Sequence, residues 1–189
     1  MLKQWEKPER PSDEKLEGRL KNARMKLQEQ QLKVKEHGLP VLVLVEGWGT
    51  AGEGSLIGQI IKNIDPRFFK VESMSAPTEE EKRKPFLYRH FVKIPENGKF
   101  SFLDSGWMDE IMKERLHEKI SDEAYAHRIE SVKRFERQLT DNGYLVVKLF
   151  LQISKSEQEK RIEHLSHVLR SYKNLSADQT HTDNRPYTD

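Results

Sequence analysis

The sequence predicts an α/β fold of three layers, with a mostly parallel sheet covered by helices on both faces. Short apolar runs rich in β-branched residues, Val41–Val45 above all, alternate with stretches of helical character. The first run is continuous rather than alternating, the pattern of a strand buried on both sides. A glycine-rich turn joins it to the next helix, and in such folds ligands bind beyond the C-terminal ends of the strands.

The elements follow in order. Residues 1–12, with Pro8 and Pro11 among charges, read as an extended arm. Ser12 or Asp13 caps a helix to about Glu36, with Leu16, Leu20, Met25, Leu27 and Leu32 roughly at helical spacing, and His37-Gly38 ends it. Val41–Val45 is the first strand, Glu46–Gly54 the glycine-rich turn, and Ser55–Asn63 a helix broken by Asp65-Pro66. Phe69–Glu72 suggests a second strand. Thr78 with Glu81 forms a capping box, which predicts a helix through Phe91. Pro95–Gly98 turns into a third strand, Lys99–Leu103, ending at Asp104. Helices are expected over 106–119 and 122–140, the clearest strand over 144–151, and a last helix from Ser154 or Ser156 to Arg170. The chain thus divides into an arm and amphipathic helix over 1–39, a core domain over 40–170 and a polar tail over 171–189.

Composition narrows the function classes. The 189 residues are enough for one domain of ordinary size. The 33 basic and 31 acidic residues give a net charge of +2, without the long basic tract that nucleic-acid binding favours. Cysteine is absent, which removes disulfides and thiolate metal sites. No apolar stretch approaches a membrane span, and mean hydropathy is -0.84, so a soluble, cytoplasmic protein is expected.

The glycine-rich turn is Glu46-Gly47-Trp48-Gly49-Thr50-Ala51-Gly52-Glu53-Gly54-Ser55. Gly47 and Gly52 have the offset of the phosphate loop G-x-x-x-x-G-K-[ST], in which backbone N–H groups curve around an anion at a helix start. Glu53 stands at the lysine position. That lysine stabilises charge on the transferred phosphoryl group; losing one such donor costs about 3–4 kcal/mol, and a reversed charge costs more. A divalent metal bridging Glu53 to phosphate would offset part of this. Gly54 opens the helix where a Mg²⁺-binding hydroxyl usually stands, with Ser55 next to it.

At these residues the chain resembles the polyphosphate kinase 2 family, whose members transfer phosphoryl groups between inorganic polyphosphate and nucleotides. The family loop reads approximately E-G-W-D-A-A-G-K-G, against E-G-W-G-T-A-G-E-G at 46–54. Asp65-Pro66-Arg67, Phe69-Lys70-Val71, Ala76 to Glu81, Pro85 to Arg89, Pro95 to Gly98, Phe135 to Leu139 and the strand to Lys155 also resemble family segments in order and spacing. The family's D-R-S-W-Y is matched by Asp104-Ser105-Gly106-Trp107-Met108. The resemblance implies a phosphate-loop NTPase fold of the thymidylate-kinase type, Mg²⁺ as cofactor, and polyphosphate and nucleotide as ligands. It places phosphate or nucleotide at Gly47, Gly49, Gly52, Glu53, Gly54 and Ser55.

The departures fall on the chemistry. Gly49 replaces the loop aspartate, Glu53 the lysine, Ser105 the arginine after Asp104, and Met108 the tyrosine. The lid segment rich in tryptophan and lysine is reduced to Tyr172-Lys173 and a polar run. The chain therefore resembles the catalytically depleted copy of a two-copy member.

Asp104 is either the Mg²⁺ ligand and a catalytic group or the cap of the following helix. Glu46 either joins it or bonds backbone amides. Arg67, Arg83, Lys84, Arg89 and Lys93 are candidates for a polyphosphate track, with Arg89 the catalytic candidate among them. On a helix Arg89 and Lys93 share a face; pairing with Glu79 and Glu80 is the alternative. Trp48 and Trp107 either wall a nucleotide pocket or pack the two loops together. His164 and His167 lack a third metal ligand. Three functions follow: a noncatalytic domain with weak anion binding, a working kinase in which Arg83, Arg89 or Lys93 replaces the lysine, or an assembly module that forms a homodimer or docks on a catalytic copy through helices 13–36 and 106–140.

Overall fold

The four strands lie in one parallel sheet, ordered β2-β3-β1-β4. The computed structural model describes residues 11–117 and 119–171, with side chains to residue 166; residues 1–10 of the arm expected over 1–12, and residues 172–189 of the tail expected over 171–189, lie outside the described residues. The strands are β1 (Val41–Gly47), β2 (Phe69–Ser73), β3 (Phe100–Asp104) and β4 (Leu145–Leu151). The helices are α1 (Asp13–Glu36), α2 (Glu53–Ile61), α3 (Tyr88–Phe91), α4 (Trp107–Leu116), α5 (Asp122–Asp141) and α6 (Lys155–Ser171).

The continuous apolar run of β1 explains its central place. Val41, Val43 and Val45 join a core with Ile57 of α2, Val34 of α1 and Phe100 and Phe102 of β3. Leu42 and Leu44 belong to a second core with Leu103, Trp107 and Ile111, closed by Val132, Phe135 and Leu139 of α5. The period-two alternation thus divides one strand between two helical layers. Each such side chain contributes about 1.5–3 kcal/mol by burial. One layer holds α2 and the C-terminal part of α1; α4 and α5 form the other.

Helix α1 is anchored from its middle to its C-terminal end, where Arg24 bonds Gln59 of α2 and Leu27 and Val34 pack on the core. Gln31 is buried; it accepts from Asp65 N–H at 3.1 Å and donates to Asp65 C=O at 3.4 Å, so its amide is satisfied. Leu20, Met25 and Leu32 remain exposed.

The expected helix over 78–91 is not continuous. Its capping box forms, with Thr78 N–H donating to Glu81 Oε2 at 2.8 Å and Glu81 N–H to Thr78 Oγ1 at 3.2 Å. It starts only a 3-10 turn, Glu81–Arg83. Pro85 lacks an N–H and its ring pushes the preceding residue out of the helical region; Lys84 is extended, at φ -99 and ψ 161. Helix resumes only at α3. Among the described residues, no helix is long and apolar enough to cross a membrane.

Candidate functional site

The loop after β1 and the end of β3 meet at the C-terminal edge of the sheet, because Val45 is in register with Asp104. A cavity of about 650 Å³ opens there. Thr50, Glu53, Ser55 and Asp104 line one side of it, and Lys160, Arg161 and His164 of α6 line another. Gly54 stands close to Asp104: a side-chain carbon on it would lie 3.4 Å from Asp104 Oδ2.

Helix α6 holds the loop by its carbonyls. Arg161 Nη1 donates to Thr50 C=O and Ala51 C=O, both at 3.0 Å, and Gln158 Nε2 donates to Gly49 C=O at 3.1 Å. Arg161 is itself steadied by Glu157, at 2.7 Å. Inside the loop, Ala51 N–H closes a turn on Trp48 C=O at 2.8 Å. Thr50 has φ 68, in the left-handed region that a threonine enters at a cost of about 1–2 kcal/mol. Its Oγ1 is buried without a hydrogen-bond partner. Glu53 Oε2 accepts from Gly52 N–H at 3.0 Å.

Of the two carboxylates at this edge, Glu46 is the one that bonds the start of α4. Helix α4 begins after Gly106 with no capping side chain of its own segment. Glu46 reaches across from β1 instead: its Oε1 accepts from Met108 N–H at 3.0 Å and Asp109 N–H at 3.3 Å. A Cβ at 106 would collide with Glu46 Oε1 and with the end of the Leu44 side chain, so glycine there leaves the space that the Glu46 carboxylate occupies. Burial raises the Glu46 carboxyl above its ordinary 4.5, against the lowering effect of those two amides. Asp104 makes no cap, and desolvation with the like charge of Asp109 raises its carboxyl above 3.8. Ser105, between these groups, is the second non-glycine residue at φ 68.

The basic candidates do not converge on the loop. Arg89 is buried; it donates to Ser75 C=O at 2.5 Å and lies 3.9 Å from Glu81 and 3.7 Å from Glu110. Lys93 pairs with Glu72 at 2.8 Å. Lys84 lies over the Tyr88 ring, and Arg83 is exposed on the 3-10 turn. Arg67 precedes β2, at the opposite end of the sheet, and pairs at 2.6 Å with Asp65, whose carboxyl its hydrogen bond holds down at about 2. Neither tryptophan lines the cavity. Trp107 is fully buried, donates to Glu136 Oε1 at 3.0 Å and packs edge-on to Phe135. Trp48 packs edge-on to Phe150 and donates to Gln152.

The basic residues that do line the cavity, Lys160, Arg161 and His164, are not among the phosphate or polyphosphate candidates that the sequence offers, where His164 figures only as a metal ligand lacking a third partner. The signal available was their spacing: positions 157, 160, 161 and 164 fall on one face of a helix that follows the last strand.

The polyphosphate kinase 2 family profile matches residues 10–187. The chain is 32% identical over 149 residues to a polyphosphate:AMP phosphotransferase of Pseudomonas syringae pv. tomato, covering 79% of this chain and 28% of that protein. It is 30% identical over 141 residues to ADP-polyphosphate phosphotransferase 3 of Rhizobium meliloti, covering 74% and 50%. The crystal structure of polyphosphate kinase 2 from Arthrobacter aurescens TC1 superposes with a TM-score of 0.76 at 29% identity, covering 82% of this chain and 56% of that one. The chain thus spans between about a quarter and about half of these relatives. With the family profile matching nearly the whole chain, the chain belongs to the polyphosphate kinase 2 family.

Proposed function

We propose that this chain is a noncatalytic polyphosphate kinase 2 domain with a structural or regulatory role, retaining weak binding of phosphate or polyphosphate. One observation carries the reading: the loop's lysine position holds Glu53, whose carboxylate lies on the loop backbone at Gly52. Of the cations that a rearranged kinase would need, Arg89 and Lys93 are committed to Glu81, Glu110 and Glu72, and Arg83 is exposed on the 3-10 turn and does not line the cavity. Weak anion binding is supported by Lys160, Arg161 and His164 at the cavity rim. Docking on a second copy or on a catalytic relative is supported by the exposed Leu20, Met25 and Leu32 of α1.

Mg²⁺ fits this site in a limited way. Among the described residues, no group of three or more His, Asp or Glu side chains converges to hold a metal. Asp104 meets the lighter requirement of Mg²⁺, which takes one or two carboxylates and completes its shell with water and ligand phosphates. There it would neutralise phosphate charge. Ser55 lines the same cavity and would supply a hydroxyl.

The test is turnover. Purified protein is incubated with polyphosphate, Mg²⁺ and nucleoside mono- and diphosphates, beside the variant carrying Gly49→Asp, Glu53→Lys and Ser105→Arg. The backbone tolerates these changes: a side chain at 49 meets only Gln158 Nε2, at 3.4 Å, and Ser105 already holds the left-handed conformation. The wild type is expected to run at least about 10²-fold below the variant. Wild-type turnover at ordinary kinase rates, about 1–100 s⁻¹, sinks the reading.

A further inference from the structure

A glutamate in the first turn of an exposed helix ordinarily extends into solvent, where it gains a few tenths of a kcal/mol from the helix dipole. Glu53 folds back instead. Its Oε2 accepts the Gly52 N–H at 3.0 Å, and its Oε1 lies where a Cβ on Gly47 would be 2.8 Å away. The carboxylate therefore sits against the two glycines whose spacing defines the phosphate loop. A Cβ on Gly47 would lie equally close to Leu151 C=O, its neighbour on β4, so the absence of a side chain at 47 is what admits the carboxylate beside the sheet. From the other direction, Arg161 and Gln158 hold three loop carbonyls and keep the backbone curved.

The start of α2 makes this position favourable for an anion. The first intrahelical bond is Leu56 N–H to Gly52 C=O at 2.9 Å, so the N–H groups at the beginning of the helix have no partner within it. A phosphate oxygen in such a loop would take backbone amides and bring negative charge to the helix N-terminus. Glu53 brings negative charge to the same place from within the chain and takes one loop amide, that of Gly52.

We propose that Glu53 is an internal anion that closes the phosphate loop, an autoinhibitory contact in which the carboxylate takes the place of phosphate. This deepens the reading above and rests on it, in that the loop is taken as the family's anion cradle. It separates the two parts of the cavity. The loop is blocked, and any polyanion is confined to the α6 side, at Lys160, Arg161 and His164.

The test uses the full chain, ¹⁵N-labelled, as wild type, Glu53→Gln and Glu53→Ala, each titrated with inorganic tripolyphosphate without metal. The amide signals of Gly52, Gly54 and Ser55 report on the loop, and those of Lys160 to His164 on α6. Glu53→Ala is expected to show saturable loop shifts with an affinity about tenfold or more above the wild type, from removal of one like charge at close range. Glu53→Gln keeps an acceptor for Gly52 N–H without the charge and is expected between the two. Equal loop shifts in wild type and Glu53→Ala, or none in Glu53→Ala, overturn the proposal. Shifts confined to α6 in all three proteins overturn it too, while supporting weak anion binding. Wild-type turnover in the kinase assay sinks the noncatalytic reading whatever the metal-free titration gives.

Discussion

Glu46 ties the end of β1 to the start of α4, and its two amide bonds come with a charge held away from water. Burial raises its carboxyl above 4.5, so the folded state binds the proton more tightly than the unfolded chain does. Its contribution to stability is therefore greatest below 4.5 and is lost as pH rises through the raised folded value. Glu46→Gln keeps an oxygen for the Met108 and Asp109 amides and removes the charge. The variant is expected to melt above the wild type at neutral pH, with the gap narrowing as pH falls towards 4.5 in thermal melts followed by circular dichroism. A gap that widens on acidification contradicts the assignment. Asp104 has the same sign of shift and is common to both proteins, so it cancels in the comparison. The sequence named both carboxylates and left both roles open for each. What decides between them is Gly106, whose missing side chain lets Glu46 reach the helix start; no local pattern at 46 or 104 announces that contact.

At the scale of elements, α6 is the part that acts at a distance. Its hydrogen bonds to the loop span 109 to 111 residues of sequence. Removing Arg161 by Arg161→Ala frees the carbonyls of Thr50 and Ala51. The amides of Ala51 and Gly52 are expected to exchange with deuterium about tenfold faster, from the loss of charged hydrogen bonds. Glu157→Gln, which weakens the half-exposed ion pair to Arg161 and leaves the carbonyl contacts in place, is expected to change exchange far less. Similar acceleration in both variants would mean that the ion pair, not the carbonyl contacts, holds the loop. The four strands were legible because each is a short segment of apolar and β-branched residues near turn residues, β2 with apolar-polar alternation, while β1 declared its two-sided burial by having none. The segment 78–91 misled because the capping box at Thr78 is real but Pro85 interrupts what it starts. With the helix broken, Arg89 and Lys93 no longer form a track, and the placement of the cations could not be read from helical spacing.

For the molecule as a whole, the parallel sheet gathers the loop, Asp104 and α6 at one edge and leaves Arg67 at the other. That much follows from strand direction alone. The same topology puts β4 last in the sheet, with β1 on one side and, among the described residues, no strand on the other. Leu145 and Phe150 are exposed on it, and Lys148, bonded to Glu136, is its sole charge. An unpaired edge of this composition is a template for adding further strands, and a charge in its middle is the usual safeguard. Lys148→Thr is expected to scatter light at a lower temperature than the wild type, with onset falling as protein concentration rises, while the dilute melting temperature moves less. An onset independent of concentration would contradict this. Lys148 is thus expected to bear on how far the protein can be concentrated and how long it stays dispersed, a property separate from phosphate chemistry.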